Sequence, residues 1–284
     1  MADELGRTVL RRQLGKELKR LREAAGKTTI EAGAYAGIKG GTVSKIENGK
    51  QGIRVANVRL LCQFYGVSDQ ITEGLLVRAV EAEKPGRLDS YADTMPDWFA
   101  RFVGLEEDAS VIAEYESEVL PGLLQTADYI KALRRAVEPS STADDLRRSV
   151  AFRQARQERL SSPRPPLLHC VINEGALHRE VGGKDVMREQ LRHLAEVGKR
   201  PNVHLQVLPF ESGAHPAMTA PFIMLRFEAA DDLDLVYLEH DLGGTYLEKP
   251  PQVKRYEVIF GQLTKTALSR AKSAELIARV AEQI

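Results

Sequence analysis

An all-α N-terminal domain followed by an α+β or α/β domain with a small sheet is the fold class this sequence predicts, and three observations predict it. The chain has 284 residues, room for two cores at ~100–200 residues per domain. Over the first 80 residues apolar positions recur at helical spacing, whereas later the pattern changes to apolar runs of four to six residues bounded by turn formers. Charge divides at the same place. Residues 1–80 hold 14 Lys or Arg against 8 Asp or Glu, and the other 204 hold 26 against 32, so overall neutrality conceals a basic first part and an acidic remainder. The domains expected are therefore 1–80 and 97–284, joined by a linker over 81–96.

The elements of the first domain follow from spacing. Leu10, Leu14, Leu18, Leu21 and Ala25 fall on one helical face, and Gly26 offers a stop. Thr28 or Thr29 can cap a short second helix, whose Ile30, Ala34 and Ala36 are expected to meet a neighbouring helix. Gly37-Ile38 makes a tight turn. A third helix is expected from Lys39 to Asn48, with Val43 and Ile46 inside and Lys39, Thr42, Ser44 and Lys45 outside. Val55, Val58, Leu61, Cys62 and Tyr65 form the stripe of a fourth helix ended by Gly66, and a fifth is expected over 68–80, ended or interrupted by Lys84-Pro85-Gly86.

Gly37-Ile38, the run Thr42-Val43-Ser44-Lys45-Ile46-Glu47-Asn48-Gly49-Lys50 and the 55–67 stripe resemble the Xre, or lambda-repressor-like, helix-turn-helix family over about 60 residues. The resemblance implies a sequence-specific regulator of transcription that binds double-stranded DNA, with the third helix in the major groove. By position it makes Lys39, Thr42, Ser44 and Lys45 the candidates to face bases. Thr28, Thr29, Asn48 and Lys50 become candidates to touch phosphate, and Arg22 is expected to pair with Glu47 in a structural role. One departure matters: Gly40 and Gly41 stand where such helices commonly carry long polar side chains, and glycine cannot hydrogen-bond a base edge. Direct readout is expected to be thin, supplemented by DNA shape or by a homodimer reading two half-sites.

Past the linker, Pro96 and Asp97 open a helix with Trp98 and Phe102 four apart on one face, expected as core or as the wall of a small-molecule pocket. A strand is expected over 114–120, a helix over 123–137 and an Arg-rich helix over 144–160, the last mainly solvated because Asp144, Asp145 and Glu158 are interleaved. Strands follow at 167–172, 203–208, 222–227 and 235–238, with helices at about 184–198 and 252–283.

Several segments of this half also form a recognisable set: Tyr115-Glu116, Leu120-Pro121-Gly122-Leu123-Leu124-Gln125-Thr126, Arg153-Gln154-Ala155-Arg156-Gln157, Val181-Gly182-Gly183, Gln206-Val207-Leu208-Pro209-Phe210, Gly213-Ala214-His215 and Tyr237-Leu238-Glu239-His240. They resemble the C-terminal domain of actinobacterial WhiJ-like regulators, described as antitoxin-like. That resemblance implies developmental or antibiotic-related regulation and a small BldB-like protein as partner. An antitoxin-like module that sequesters a small protein, with DNA binding only autoregulatory, is the alternative it leaves open. Trp98, Phe102, His215, Glu239, His240 and Tyr246 are the residues expected at the partner or ligand site.

Enzymatic chemistry finds little support. His-Glu-x-x-His, Cys-x-x-Cys and Gly-x-Ser-x-Gly patterns do not occur, and 181–185 lacks the spacing of a phosphate-binding loop, so neither catalysis, metal nor cofactor is expected. Cys62 and Cys170 sit in apolar runs, as small hydrophobes do. Without an apolar run of ~20 residues or a signal-like start, the expected setting is cytoplasmic, away from any membrane.

Overall fold

The computed structural model describes residues 7–84, 87–228 and 234–284, and the chain divides after Asp89 into two compact units. In the first unit five helices are described: α1 (Arg7–Ala24), α2 (Thr29–Ala36), α3 (Gly40–Glu47), α4 (Val55–Tyr65) and α5 (Asp69–Glu83). Leu14 and Leu18 of α1, Val43 and Ile46 of α3, and Val58, Leu61, Cys62 and Tyr65 of α4 bury one another in a single core, flanked by Leu21 and Ala25. Within 81–96, α5 runs to Glu83 with Ala82 buried, and Asp89–Thr94 forms a 3-10 helix. Pro85 and Gly86 of the expected break lie outside the described residues.

The turn between α2 and α3 is made by Gly37, whose φ of 69° is in the left-handed region. The two helices then approach until their backbones touch. A Cβ on Gly33 would stand 2.6 Å from the Ile38 carbonyl oxygen and 2.9 Å from the Gly40 nitrogen, and one on Gly40 would stand 3.0 Å from the Ile30 Cα. Gly40 is therefore bare for packing, whereas a Cβ on Gly41 would meet nothing within 4 Å. The far end of α3 is gripped similarly, since a Cβ on Gly15 of α1 would lie 2.3 Å from the Ile46 carbonyl oxygen. Of the three residues expected to meet a neighbouring helix, Ala36 is buried, Ala34 is exposed, and Ile30 touches the start of α3 while remaining largely exposed; Ala32 and Gly33 complete the buried face. An eight-residue helix packed by backbone contact needs only a narrow stripe, and the glycine contact rather than apolarity alone sets where it lies.

The second unit begins with α6 (Asp97–Asp108), β1 (Val111–Glu116), α7 (Ala127–Val137), α8 (Ala143–Gln157), β2 (Leu167–Asn173), α9 (Glu174–His178) and α10 (Lys184–Val197). It continues with β3 (Val203–Leu208), β4 (Phe222–Arg226), β5 (Leu235–His240), β6 (Gly243–Leu247), α11 (Pro250–Thr266) and α12 (Arg270–Gln283). The strands form a mixed six-stranded sheet in the order β3-β2-β1-β4-β5-β6, parallel among the first three and antiparallel from β1 to β6. An all-helical unit followed by a unit of helices around a mixed sheet is the class the sequence predicts. Four details differ. The expected strand over 114–120 starts at Val111 and ends at Glu116, and four consecutive positions of it are buried because β1 is central and covered on both faces. The helix expected over 123–137 starts at Ala127, capped by Thr126, after a 3-10 turn at Gly122–Leu124. β6 was not expected at all. The helical stretch expected over 252–283 is two helices, with the break, not located from sequence, between Thr266 and Arg270.

One sheet face carries Ala113, Tyr115, Val171, Met224 and Val236 against Ile259 and Leu263 of α11. On the other, register aligns Cys170, Glu114, Ile223, Tyr237 and Tyr246 in a row under α6 and α8. The free edge of β3 is closed by its own chain: Val207 N–H donates to Ser273 Oγ (2.9 Å), and Leu268 N–H donates to the Val207 carbonyl (2.9 Å).

The elbow gives a direct expectation. Gly33→Ala should destabilise the first unit by about 1–3 kcal/mol through overpacking, while Gly41→Ala should be neutral or stabilising by up to about 1 kcal/mol. Thermal unfolding of the full chain followed by helical circular dichroism checks this; indistinguishable variants would contradict the contact.

Candidate functional site

The outer face of α3 is assembled from little side chain and much charge. Lys39 precedes its first turn, Gly40 and Gly41 form it, Thr42 is half-buried, and Ser44 and Lys45 are exposed beyond. Lys50 is exposed in the turn that follows. The ammonium groups of Lys39, Lys45 and Lys50 have no hydrogen-bond or ion-pair partner among the described residues. Unpaired, exposed lysines attract phosphate without the cost of breaking an internal pair.

The four backbone candidates differ in availability. The Thr28 hydroxyl accepts from Glu31 N–H (3.2 Å) and donates to Glu31 Oε2 (2.8 Å), and the Thr28 N–H donates to the same oxygen (2.7 Å). This closed capping box engages the Thr28 hydroxyl and N–H within the helix and sets a carboxylate at the start of α2. Those hydrogen bonds from the Thr28 backbone and hydroxyl also hold the Glu31 carboxyl below the usual range. Thr29 is half-buried in the first turn. Asn48 spends one amide hydrogen on the Ser44 carbonyl (2.7 Å) and keeps the other.

Arg22 and Glu47 lock α3 to α1. Arg22 Nε and Nη2 donate to the two oxygens of Glu47 at 2.6 and 2.9 Å, and Nη1 donates to the Lys27 carbonyl (2.8 Å). Both side chains are nearly buried, so removing one strands the other at a cost of about 3–5 kcal/mol.

In the second unit the six expected site residues fall in two places. Trp98, Phe102, Glu239, His240 and Tyr246 gather around α6 and the β5–β6 hairpin. Phe102 is buried and stacks on Tyr237 (centroids 4.3 Å), Tyr246 Oη donates to the Trp98 carbonyl (3.1 Å), and Tyr237 Oη donates to Glu239 (3.3 Å). The Arg101 guanidinium covers the Tyr246 ring at 4.1 Å and pairs with Glu248 (2.5 Å). Phe102 is thus core, while Glu239 and His240 are exposed at the hairpin. His215 lies on the opposite face of β1, where its Nε2 is 3.4 Å from Tyr115 Oη and its Nδ1 is buried without a hydrogen bond.

Between these places lies a cluster that sequence reasoning missed. The Arg-rich α8 turns two arginines inward. Arg156 forms a buried two-bond pair with Glu106 (2.7 and 2.8 Å) beneath the rings of Phe99, Phe102 and Phe152, and Arg153 donates to Gln125 Oε1 (3.0 Å). The helix is therefore not simply a solvated one. Glu114 and Glu116 of β1 approach the same arginines, and Glu239 adds its field, so four carboxylates face two guanidiniums. Burial, then neighbouring carboxylates, push Glu114 up to about 7 and raise Glu116 well above the carboxylate range, while burial holds Arg153 down to about 10. The 120–126 segment is tied to this cluster: Gln125 Nε2 donates to the Leu120 carbonyl (2.7 Å), Gln157 to the Gln125 carbonyl (2.7 Å), and Gln190 bonds both Thr126 N–H (2.6 Å) and the Leu124 carbonyl (2.8 Å). The only sequence signal was a pair of glutamates flanking a tyrosine inside an apolar strand.

Among the described residues no group of three or more His, Cys, Asp or Glu is placed to hold a metal ion, and no helix is long and apolar enough to cross a membrane. The cluster sets a pH dependence. A carboxyl whose folded pKa lies above its unfolded value stabilises the fold below the unfolded value, and that contribution is lost as pH rises through the folded one. For Glu114 the window runs from about 4.5 to about 7. The second unit should melt at lower temperature at pH 8 than at pH 5.5, and Glu114→Gln should flatten the difference; calorimetry of the full chain measures both, and an unchanged slope in the variant would exclude Glu114 as its source.

Comparison with known proteins agrees with this division. A family described as a helix-turn-helix domain matches residues 13–73, which span α1 to the start of α5. A second, described as a domain of unknown function (DUF5753), matches residues 99–279, more than half of the chain. No curated protein and no solved structure matches it. The chain belongs to the family defined by that domain of unknown function (DUF5753), joined here to an N-terminal helix-turn-helix domain.

Proposed function

We propose that the chain is a sequence-specific transcriptional regulator of the Xre type, binding double-stranded DNA as a cytoplasmic homodimer through α3. The observation that carries this is the exposed face of α3: three unpaired lysines around a helix whose inner face is fixed at both ends by backbone contact. Fixed placement lets a short helix enter a groove without ordering cost, and the lysines supply the phosphate attraction. Base contacts are assigned to Lys39, Thr42, Ser44 and Lys45, and phosphate contacts to Thr29, Asn48 and Lys50. The second unit sets DNA affinity through a bound partner or ligand that distinguishes two states of the regulator, a small BldB-like protein being the partner class assigned. Its site is placed at α6 and the β5–β6 hairpin, where Trp98, Glu239, His240 and Tyr246 gather beside the fully exposed Leu242. No catalytic step is assigned to the chain.

A second function, an antitoxin-like module whose DNA binding is only autoregulatory, is favoured by the missing side chains at Gly40 and Gly41, which reduce direct readout. The two separate on one variant. A tight complex with a small partner protein that survives loss of DNA binding in Lys45→Ala, and is sufficient for the cellular effect, belongs to the second.

Selection of bound duplexes from fragmented genomic DNA at near-physiological salt tests the first. Lys45→Ala should lower affinity for the enriched sequence by about 1–3 kcal/mol and relax its preference, whereas Lys50→Ala should weaken all sequences alike and flatten the salt slope by about one ion. Unchanged binding in both variants would remove α3 from the interface. Glu31→Gln, which keeps the capping box but removes the carboxylate charge, should tighten binding to every sequence severalfold at low salt; filter binding against salt concentration reads it, and weaker binding would place α2 away from the backbone.

A further inference from the structure

We infer that Ile30 is a specificity-determining residue of the DNA interface, reading a thymine through its C5-methyl group. This rests on the assignment of α3 to the major groove. Ile30 is 74% exposed, although a large apolar side chain in the first turn of α2 contributes nothing to the core. Its position explains the exposure. The Ile30 Cα, N and Cγ1 lie 3.0–3.2 Å from where a Gly40 Cβ would stand, so the side chain lies along the first turn of α3. That turn has no side chains of its own: Gly40 is kept bare by Ile30, and Gly41 faces open space. The part of α3 that penetrates a groove most deeply thus presents backbone, and the side chain that covers it comes from the neighbouring helix.

The chemistry of the partner follows from what surrounds the isoleucine. The exposed, unpaired Lys39 directly precedes Gly40, and the exposed, unpaired Lys45 and Lys50 lie on α3 and in the turn after it, which suits a polyanion. In the major groove the one apolar group on a base edge is the thymine methyl, and apolar contact with it discriminates thymine from every other base. An exposed isoleucine against the first turn of a helix that carries unpaired lysines matches an A·T pair flanked by phosphates. Removing one buried methyl contact is expected to cost about three- to tenfold in affinity.

The test uses the full chain and the duplex it enriches from genomic fragments, with each thymine replaced in turn by deoxyuridine, which deletes the methyl and keeps the base pair. Wild type should lose about three- to tenfold at one thymine per half-site. Ile30→Ala should bind the thymine and deoxyuridine duplexes equally at that position, Ile30→Val should keep most of the difference, and Lys45→Ala should keep it while weakening both duplexes. Because Ile30 is exposed, the variants should melt with the wild type, and that measurement separates lost contact from lost fold. A wild type indifferent to every replacement, or an Ile30→Ala variant with the wild-type penalty, overturns the inference while leaving the regulator intact. Failure to enrich any sequence removes the DNA assignment, and this inference with it.

Discussion

The contact between the backbones of α2 and α3 is the constraint on which the geometry of the helix-turn-helix unit depends. With no side chain at Gly33 or Gly40, the two helices meet at a distance that any Cβ would forbid, and the angle between them cannot be set by side-chain repacking. Gly15 and the Arg22–Glu47 pair then fix the other end of α3 to α1. A helix of eight residues such as α3 has almost no intrinsic stability. Its geometry is imposed by these attachments, and its outer face is left free to carry charge. The same constraint strips the first turn of α3 and gives the exposed isoleucine of α2 its place.

The second unit is organised around a different compromise. A central strand covered on both faces carries two glutamates toward two arginines of α8, and a third glutamate of α6 completes the buried pair. Desolvating so many charges is unfavourable unless each finds hydrogen bonds or a proton, and the excess of carboxylates makes protons part of the fold. The glutamine network that pins residues 120–126 extends this polar interior to α7 and α10. Networks of this kind specify one arrangement of helices on a sheet more sharply than apolar packing does.

Much of the first unit was legible because its helices are amphipathic at ordinary spacing. The α1 stripe from Leu10 to Ala25 and the α4 stripe from Val55 to Tyr65 mark faces that a 3.6-residue period identifies. Ile30 meets α3 yet stays largely exposed, because apolarity alone cannot reveal that the glycine contact buries only a narrow stripe. In the second unit β1 was displaced because a strand buried on both faces loses the alternation that marks its phase. β6 was invisible because Gly243 and Gly244 read as a turn; Gly244 is required there, since a Cβ would stand 2.2 Å from the Tyr237 ring. The inward arginines of α8 were read as solvated because their partners lie far away in sequence, Glu106 being 50 residues from Arg156. Spacing within one helix cannot disclose a partner on another.

The most direct measurement of the central claim is amide hydrogen exchange of the full chain with and without DNA fragments at low salt. Protection gained along 39–50 and at the start of α2, and little elsewhere in the first unit, is the result expected if α3 enters the groove while α1 and α4 support it. Protection confined to the second unit, or none at all, would contradict the assignment of the first unit to DNA.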